Sequence, residues 1–274
     1  MLEVGNFYDL EILELTNEGL YLDGLNLNKV LLPNNEIPES YEIGEKLKVF
    51  IYKSSKNIII GTLKEPYGVL EDFAYLKVVD VNRVGAFLEW GLDKNLFLPF
   101  PEQKRRVELD QFYIVKILLD SEDRLIASTL IDDFIDNEEL YVEEDQKVDI
   151  IIYRITELGY LSIVNNEHFG ILYKNEVFRK LNVGDKLEVY ISKIRKDNKL
   201  DLSINGNNVK RFDDFTEKVL KKLKSDGFLN ITDKSSPDSI YEEFQMSKKN
   251  FKKAVGALYR KRLIKIEKDK IILL

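Results

Sequence analysis

Two tyrosines and four cations follow one another in the third quarter of the chain, a combination that can bind single-stranded nucleic acid. Tyr160 and Tyr173 come first, each in an apolar stretch. The cations that follow are Lys193, Arg195, Lys196 and Lys199. Bases stack on aromatic rings at about 1–3 kcal/mol per base, and phosphates pair with Lys or Arg. The sequence therefore predicts a nucleic-acid-binding surface in this region.

A second cluster of positive charge lies near the C-terminus, on a segment with helical periodicity. Phe251, Ala254 and Leu258 belong to its apolar stripe. The seven cations of the segment and one adjacent tyrosine are Lys248, Lys249, Lys252, Lys253, Tyr259, Arg260, Lys261 and Arg262. A charged helix face is often only solvated, but in a helix-turn-helix this helix enters a groove or follows a backbone. We predict that this face contacts nucleic acid.

Three features of the second quarter leave two interpretations open. Phe87 is either a stacking platform or a core ring, because strand alternation places it on one face without saying which. Trp90, the only tryptophan, is more often a residue that packs between domains than a ligand contact. The run Lys104-Arg105-Arg106 is more often a solvated loop than a nucleic-acid contact.

Residue types that carry most enzyme chemistry are scarce. His168 is the only histidine and cysteine is absent, which excludes thiol nucleophiles and thiolate metal sites. Gly19 and Gly24 have the spacing of a phosphate-binding loop, but Leu25 stands where that loop needs lysine. No compact Asp/Glu motif stands out. We therefore expect no catalytic activity, no cofactor and no metal ion.

Charge is distributed unevenly along the 274 residues, whose net charge is −7. Residues 65–143 carry 8 basic and 18 acidic side chains, whereas residues 207–274 carry 17 and 10. A polyanion would therefore be attracted to the C-terminal part, and repelled by the acidic part unless its charges are segregated by face. No apolar run reaches membrane-spanning length and no signal peptide is visible. These features predict a cytoplasmic protein without a membrane partner.

Three segments repeat one another in register, and these repeats must position the candidate residues. Gly19, Gly85 and Gly159 each begin an apolar run, and a second apolar cluster ends 13 residues later. Twelve residues further on, each copy has a turn residue: Gly44, Asp110 and Gly184. A period of about 65–75 residues is too long for solenoid repeats. It indicates tandem copies of one small all-β domain.

Each repeat contains five strand-like segments, which favours a five-stranded OB-type barrel. The predicted fold class is multidomain and mainly β, with three tandem OB-fold barrels followed by an α+β tail. The tail reads as helix, helix, helix and two-stranded hairpin, the order of a winged helix. The predicted boundaries are 1–64, 66–131 and 146–206 for the repeats, 132–145 for an acidic surface linker and 211–274 for the winged helix.

The segment Val84-Gly85-Ala86-Phe87-Leu88 resembles a segment of the RNA-binding domain of ribosomal protein S-one. Residues 185–204, ending in Leu-Asp-Leu-Ser-Ile, resemble the end of that domain. Three such domains before a winged helix resemble the conserved virulence factor B (CvfB/YitL) family of bacterial RNA-binding regulators. The resemblance implies a non-enzymatic protein that binds RNA and regulates gene expression post-transcriptionally.

The family's RNA-facing positions are only partly occupied here. The aromatic residue after the repeated glycine is matched by Tyr21 and Phe87, with Tyr160 one position earlier. The basic residue that the family has at the last turn is matched by Lys56, Arg124 and Lys199. Because repeat three also has Arg195 and Lys196 close to its tyrosines, we predict it as the best RNA-binding repeat. Phe87 and Arg124 are predicted as additional contacts in repeat two.

Three functions remain open from the sequence. The first is an RNA-binding regulator in which repeat three and the winged helix form a joint basic cleft for single-stranded or structured RNA. The second is a transcription regulator that binds duplex DNA through the winged helix. The third is a scaffold that binds a basic protein partner through acidic repeats one and two.

Overall fold

The structure, a computed structural model, describes residues 1–54, 56–177, 179–204 and 208–274, with the side chains of 208–214 outside the description. Within these residues, fifteen strands close into three barrels, and a domain of helices with a small sheet follows. The predicted fold class is therefore confirmed. The predicted end of repeat three at residue 206 lies outside the described residues.

The three barrels share one strand order. Barrel one consists of β1 Phe7–Leu15, β2 Gly19–Asp23, β3 Lys29–Pro33, β4 Lys46–Lys53 and β5 Ile59–Thr62. Barrel two consists of β6 Phe73–Val81, β7 Gly85–Glu89, β8 Leu96–Pro99, β9 Phe112–Leu119 and β10 Leu125–Ser128. Barrel three consists of β11 Lys147–Ile155, β12 Gly159–Val164, β13 His168–Tyr173, β14 Lys186–Ile194 and β15 Leu200–Ser203. In each, the third and fifth strands pair in parallel and the other pairs are antiparallel.

The repeated glycines have one steric cause. A Cβ on Gly19, Gly85 or Gly159 would lie 2.1, 2.4 or 2.3 Å from a leucine carbonyl oxygen on the next strand. No side chain fits such a close approach of two backbones. The turn before the fourth strand is equally constrained, because Gly44 and Gly184 have φ of +90° and +91°. The repeated spacing of these glycines therefore follows from backbone geometry that recurs from barrel to barrel.

Barrel one packs against barrel two through a residue that points out of its own barrel. On β4, Val49 and Ile51 belong to the core of barrel one, whereas Phe50 between them joins the core cluster of barrel two. The ring of Phe50 is fully buried and lies 5.8 Å from that of Trp90. Across the same interface, Leu70 N donates to the Gly5 carbonyl at 2.8 Å. Alternate side chains of β4 therefore pack into the cores of two different barrels.

Barrels two and three are joined by a hydrophobic cluster and by the segment between them. Phe73 and Ile114 of barrel two pack with Ile151 and Ile163 of barrel three, together with Ile131 and Ile135. The segment 132–145, predicted as a surface linker, is anchored here rather than solvated throughout. Its Asn137 Nδ2 donates to the carbonyls of two barrel-three residues at 2.9 and 2.8 Å. The barrel-to-barrel geometry is therefore set by packing.

The C-terminal domain has winged-helix topology. Its elements are α1 Asn208–Asp226, β16 Phe228–Leu229, α2 Pro237–Phe244, α3 Lys248–Arg260, β17 Ile264–Ile266 and β18 Ile271–Leu273. Helices α2 and α3 are capped at their N-termini by Ser236 and Ser247, whose hydroxyls accept from backbone N–H groups. The hairpin predicted as two-stranded is a three-stranded sheet, because β16 pairs with β18. A strand of two residues carries no alternation by which the sequence could reveal it.

Candidate nucleic-acid interface

Barrel two presents a pair of aromatic rings on its outer face. Phe87 on β7 lies directly opposite Phe97 on β8, and the ring centroids are 5.2 Å apart. Both side chains are half-buried, while their neighbours Ala86, Leu88, Leu96 and Leu98 are buried in the barrel core. Of the two interpretations of Phe87, the structure supports a ring on the outer face. A base can stack on such a platform.

A cavity of about 320 Å³ opens beside these two rings. Trp90 and Leu96 of barrel two line it, and Tyr52 and Lys53 of barrel one complete the wall. A cavity with apolar walls and a few polar groups can bind a small molecule, and this volume is at the lower end of the roughly 300–1,000 Å³ that such pockets span. The cavity is therefore a composite site that needs two packed barrels.

Three cations reach the cavity, and they differ in how far carboxylates neutralise them. Arg124 contacts Asp120 at 2.7 Å and Glu122 at 3.2 Å, and the hydrogen bond that it donates to Asp120 raises the pKa of Arg124. Lys53 donates to the Glu122 carbonyl at 2.7 Å. Lys94 has no ion pair within the described part of the chain. Lys94 is thus the cation with most freedom to bind a phosphate.

Barrel three lacks the corresponding platform. The register places Leu161 opposite Ile171, at the positions that Phe87 and Phe97 occupy in barrel two. Tyr160, predicted as a stacking residue, points the other way and is only 8% exposed in the core of barrel three. This is a correction to the predicted site. Neighbouring residues on a strand face opposite sides, so a shift of one position buries the ring.

Tyr173 and Arg195 lie together, but they bind each other and a carboxylate. The Tyr173 hydroxyl donates to Asp201 Oδ1 at 3.1 Å and accepts from the Arg195 guanidinium. Arg195 also holds Asp201 at 2.9 Å. Burial, followed by the hydrogen bond to Asp201, raises the pKa of Tyr173, so the hydroxyl stays protonated at neutral pH. This cluster offers RNA fewer free donors than the sequence suggested.

The remaining barrel-three cations are exposed. Lys193 and Lys196 have no carboxylate partner among the described residues, whereas Lys199 pairs with Asp197 at 2.7 Å. Exposed lysines can contribute to phosphate attraction without specifying a base. At these strand positions barrel three therefore offers charge rather than an aromatic platform. Its stacked rings of Tyr153 and Phe169, 5.8 Å apart, pack instead against the hydrophobic cluster that joins it to barrel two.

Replacing Tyr160 by alanine is expected to destabilise barrel three rather than to remove an RNA contact. Truncating a buried aromatic ring costs about 3–5 kcal/mol of unfolding free energy. Chemical denaturation should show this loss, while RNA affinity at a temperature where the variant is folded stays unchanged. A Tyr173→Phe variant is the control, since it removes one half-buried hydroxyl and no core ring. Loss of RNA affinity in a fully folded Tyr160→Ala protein would show that Tyr160 does contact RNA.

Barrel one has an aromatic residue at the platform position, surrounded by negative charge. Tyr21 donates its hydroxyl proton to Glu18 at 3.1 Å. Lys29 lies 5.3 Å from the centre of the ring but is paired with Glu14 at 2.5 Å. The hydrogen bond to Glu18 is also the main cause of a raised pKa at Tyr21. A phosphate beside this ring would meet two carboxylates, which disfavours RNA there.

Helix α3 carries the predicted basic surface of the winged helix. Phe251, Ala254 and Leu258 are buried beneath it. The cations and the ring that are exposed there are Lys249, Lys252, Lys253, Tyr259, Arg260, Lys261 and Arg262. Lys248 is the exception, since its ammonium group donates to the Ser235 carbonyl at 2.7 Å. The predicted cleft between this surface and barrel three stays a prediction.

Sequence reasoning missed Phe97, Lys94 and the barrel-one part of the cavity. Phe97 had a readable signal, because it sits between Leu96 and Leu98 and alternation places it on the opposite face from both. Tyr52 and Lys53 had none, since their proximity to Phe87 depends on how two barrels pack. No group of His, Asp or Glu among the described residues has metal-binding geometry. No helix in the same residues is long and apolar enough to cross a membrane.

Comparison with protein-family models identifies the first two barrels and the C-terminal domain. The S1 domain, which is the ribosomal S-one type of the sequence analysis, matches residues 4–64 and 72–130. The CvfB-like winged helix domain matches residues 217–273. Both are domain types found in nucleic-acid-binding proteins.

Relatives cover nearly the whole chain. Proteins called conserved virulence factor B are 28% identical in Staphylococcus epidermidis and 26% identical in Staphylococcus aureus, over 98% of this chain and 94% of theirs. A crystal structure of a multidomain protein with nucleic acid binding domains from Streptococcus pneumoniae is 21% identical over 99% of this chain and 98% of that one, with a TM-score of 0.42. The S1 matches, the CvfB-like winged helix and the curated relatives together confirm the predicted resemblance of the chain to the conserved virulence factor B family.

Proposed function

We propose that this protein is a non-enzymatic regulator that binds single-stranded RNA on barrel two. The observation that carries the proposal is the cavity beside Phe87 and Phe97, which combines a two-ring platform with the free ammonium group of Lys94. Such a site takes an unstacked base on the rings and its phosphate on the cation. In a duplex the bases are already stacked and paired, so single strands fit better.

The winged helix supplies the second RNA contact of this proposal. The exposed lysines of α3 would bind phosphates, and Lys193 and Lys196 would add charge on barrel three. The same basic helix supports the second candidate function, a transcription regulator that binds duplex DNA. That function needs α3 in a major groove and leaves the aromatic platform of barrel two without a role, which is why we favour RNA.

The proposed role is post-transcriptional regulation in the cytoplasm, where the bound RNA is translated and degraded. The name of the relatives supports a regulatory role. The proposal needs no cofactor or metal ion. A basic protein partner on the acidic barrels remains compatible with it, because carboxylates such as Glu71, Asp136 and Glu139 line a second cavity that shares no residue with the one beside the aromatic platform.

Binding in a salt series tests RNA against DNA. We expect the full chain to bind single-stranded RNA more tightly than duplex DNA of equal length at about 0.15 M salt. A Lys249→Gln/Lys252→Gln/Lys253→Gln variant should lower the slope of log K against log salt by about 2, since each lost contact with a single strand contributes about 0.7. Fluorescence anisotropy measures both quantities.

Substitution of Lys221 and Lys224, exposed on α1, is the control for a general loss of positive charge. A preference for duplex DNA would support the second candidate function, that of a transcription regulator. Absence of binding to single-stranded RNA, single-stranded DNA and duplex DNA alike would leave the protein-scaffold function.

A further inference from the structure

A positively charged patch lies where barrels two and three meet. We call it the junction patch, and its members are Lys104, Arg105, Arg106 and Arg154 with the rings of Phe100 and Tyr153. The first three cations follow the short turn after β8, and Arg154 lies near the end of β11. All four are exposed. The two barrels therefore contribute cations to one boundary.

Lys104 and Arg154 are brought together by the packing of the two barrels. The ammonium group of Lys104 donates to Asp132, in the turn between β10 and barrel three. That hydrogen bond is the main cause of the raised pKa of Lys104, and the charge of Arg154 acts against it. Beneath them, Ile131 and Tyr153 pack into the hydrophobic cluster that joins the barrels. The patch therefore covers a fixed interface.

Aromatic rings, rather than carboxylates, contact two of the three arginines of the patch. The Arg106 guanidinium carbon lies 3.5 Å from the centre of the Phe100 ring, and that of Arg154 lies 5.1 Å from the Tyr153 ring. A guanidinium stacked on a ring keeps its N–H edge available for a phosphate and loses less freedom when it binds one. Within the described residues, neither Arg106 nor Arg154 forms an ion pair.

Two other arginines of the barrels show the opposite arrangement. Arg124 and Arg195 contact carboxylates at 2.7 and 2.9 Å. Acidic side chains such as Glu71, Asp72 and Glu167 line a cavity of about 660 Å³ that shares no residue with the junction patch. A polyanion that approaches the junction patch therefore meets two guanidinium groups, those of Arg106 and Arg154, that no carboxylate pairs with among the described residues.

We propose that the junction patch binds the phosphate backbone of the RNA strand whose bases occupy the barrel-two cavity, and so leads that strand onto barrel three. This inference rests on the proposed function, and it adds the path that the bound RNA strand follows from barrel two to barrel three. Beyond the patch, the exposed Lys193 and Lys196 of barrel three can continue the phosphate contacts. Because the barrels are packed against each other, a bound strand meets these sites in a fixed order.

RNA oligonucleotides of two lengths distinguish binding at the junction patch from binding at the barrel-two cavity. An oligonucleotide of about 6 residues fits within one barrel, whereas one of about 20 exceeds the roughly 4–16 nucleotides that an OB fold binds. In an Arg106→Gln/Arg154→Gln variant of the full chain, we expect about tenfold weaker binding of the long RNA and unchanged binding of the short one. The salt slope for the long RNA should fall by about 1.4, for two lost phosphate contacts.

Two variants control for charge and geometry. Lys46→Gln/Lys48→Gln removes the same charge from exposed positions on barrel one and should leave both affinities unchanged. Arg106→Lys/Arg154→Lys keeps the charge but loses the planar group that stacks, so its affinity for the long RNA should fall between those of the wild type and the glutamine variant.

The outcomes distinguish this inference from the proposed function. Unchanged binding of the long RNA by the glutamine variant, or an equal loss for both lengths, would overturn the junction path. If the wild type binds the long RNA no better than the short one, only the path fails. If the wild type binds neither, the proposed function fails and the path fails with it.

Discussion

Replacing Phe87 and Phe97 together by alanine should weaken the binding of single-stranded RNA about 5- to 150-fold. The range follows from about 1–3 kcal/mol for a base stacked on an aromatic side chain, with 1.4 kcal/mol for each factor of ten. Both rings are half-buried on the outer face of barrel two, so the barrel core beneath them remains intact. We therefore expect a functional loss with the fold retained.

Abasic RNA makes this prediction specific to stacking. Fluorescence anisotropy with an oligonucleotide of about 6 residues, with and without bases, gives four dissociation constants for wild type and variant. Without bases the two proteins should bind equally, because only the phosphate contacts remain. With bases, the wild type should gain affinity and the variant should gain little.

The internal repeat supplies a matched control. Leu161 and Ile171 occupy the same register positions in barrel three, and their replacement by alanine removes two side chains from the corresponding face. RNA affinity should then change by less than about twofold. If this control loses as much affinity as the barrel-two variant, or if the folded Phe87→Ala/Phe97→Ala protein binds normally, the platform is not the binding site.

The architecture could be predicted because it depends on local backbone constraints that recur. Gly19, Gly85 and Gly159 are required by contact with a neighbouring carbonyl, and Gly44 and Gly184 by positive φ. Each constraint acts within one small domain, so the spacing appears in the sequence. The order of three barrels and a winged helix followed from these positions and from the helical stripe of α3.

The sequence did contain the reason why Tyr160 is buried and Phe87 is not. The aromatic residue stands two positions after the glycine in repeat two, at Phe87, but one position after it in repeat three, at Tyr160. Since strand side chains alternate between faces, this shift moves the ring from the outer face to the core. Nearby cations drew attention to repeat three, although charge does not show which way a neighbouring ring points.

Other features were beyond any reading of local pattern. Phe50 sits in the alternating strand β4 at a position that should face solvent, and it is fully buried because barrel two covers it. Tyr52 and Lys53 reach the cavity through the same packing. The stacking of Arg106 on Phe100 likewise depends on the course of a loop. These contacts follow from how domains dock, which no periodicity within one repeat encodes.

Replacing Phe50 by alanine is expected to cost about 3–5 kcal/mol of unfolding free energy, the usual cost of truncating a buried phenylalanine. The loss falls on the interface between barrels one and two, because the ring packs against Trp90 rather than against the core of its own barrel. Trp90 is the only tryptophan, so its fluorescence during urea denaturation reports directly on this interface. We expect the midpoint to fall and the barrels to unfold less cooperatively.

A Phe112→Ala variant is the control, since that ring is 49% exposed on barrel two and has one aromatic neighbour, Tyr75. Its cost should be clearly smaller than that of Phe50→Ala, because about half of the ring is already exposed and the ring–ring contact adds only about 0.5–1.5 kcal/mol beyond the buried area. The Phe50→Ala protein should also bind short RNA more weakly, because Tyr52 and Lys53 close the cavity only while barrel one stays docked. Equal stability of the two variants would contradict the role of Phe50 at the interface between the barrels. Full RNA affinity in an undocked Phe50→Ala protein would show that barrel one does not support the site. The affinity of barrel two for RNA would then depend on its own two rings and Lys94 alone.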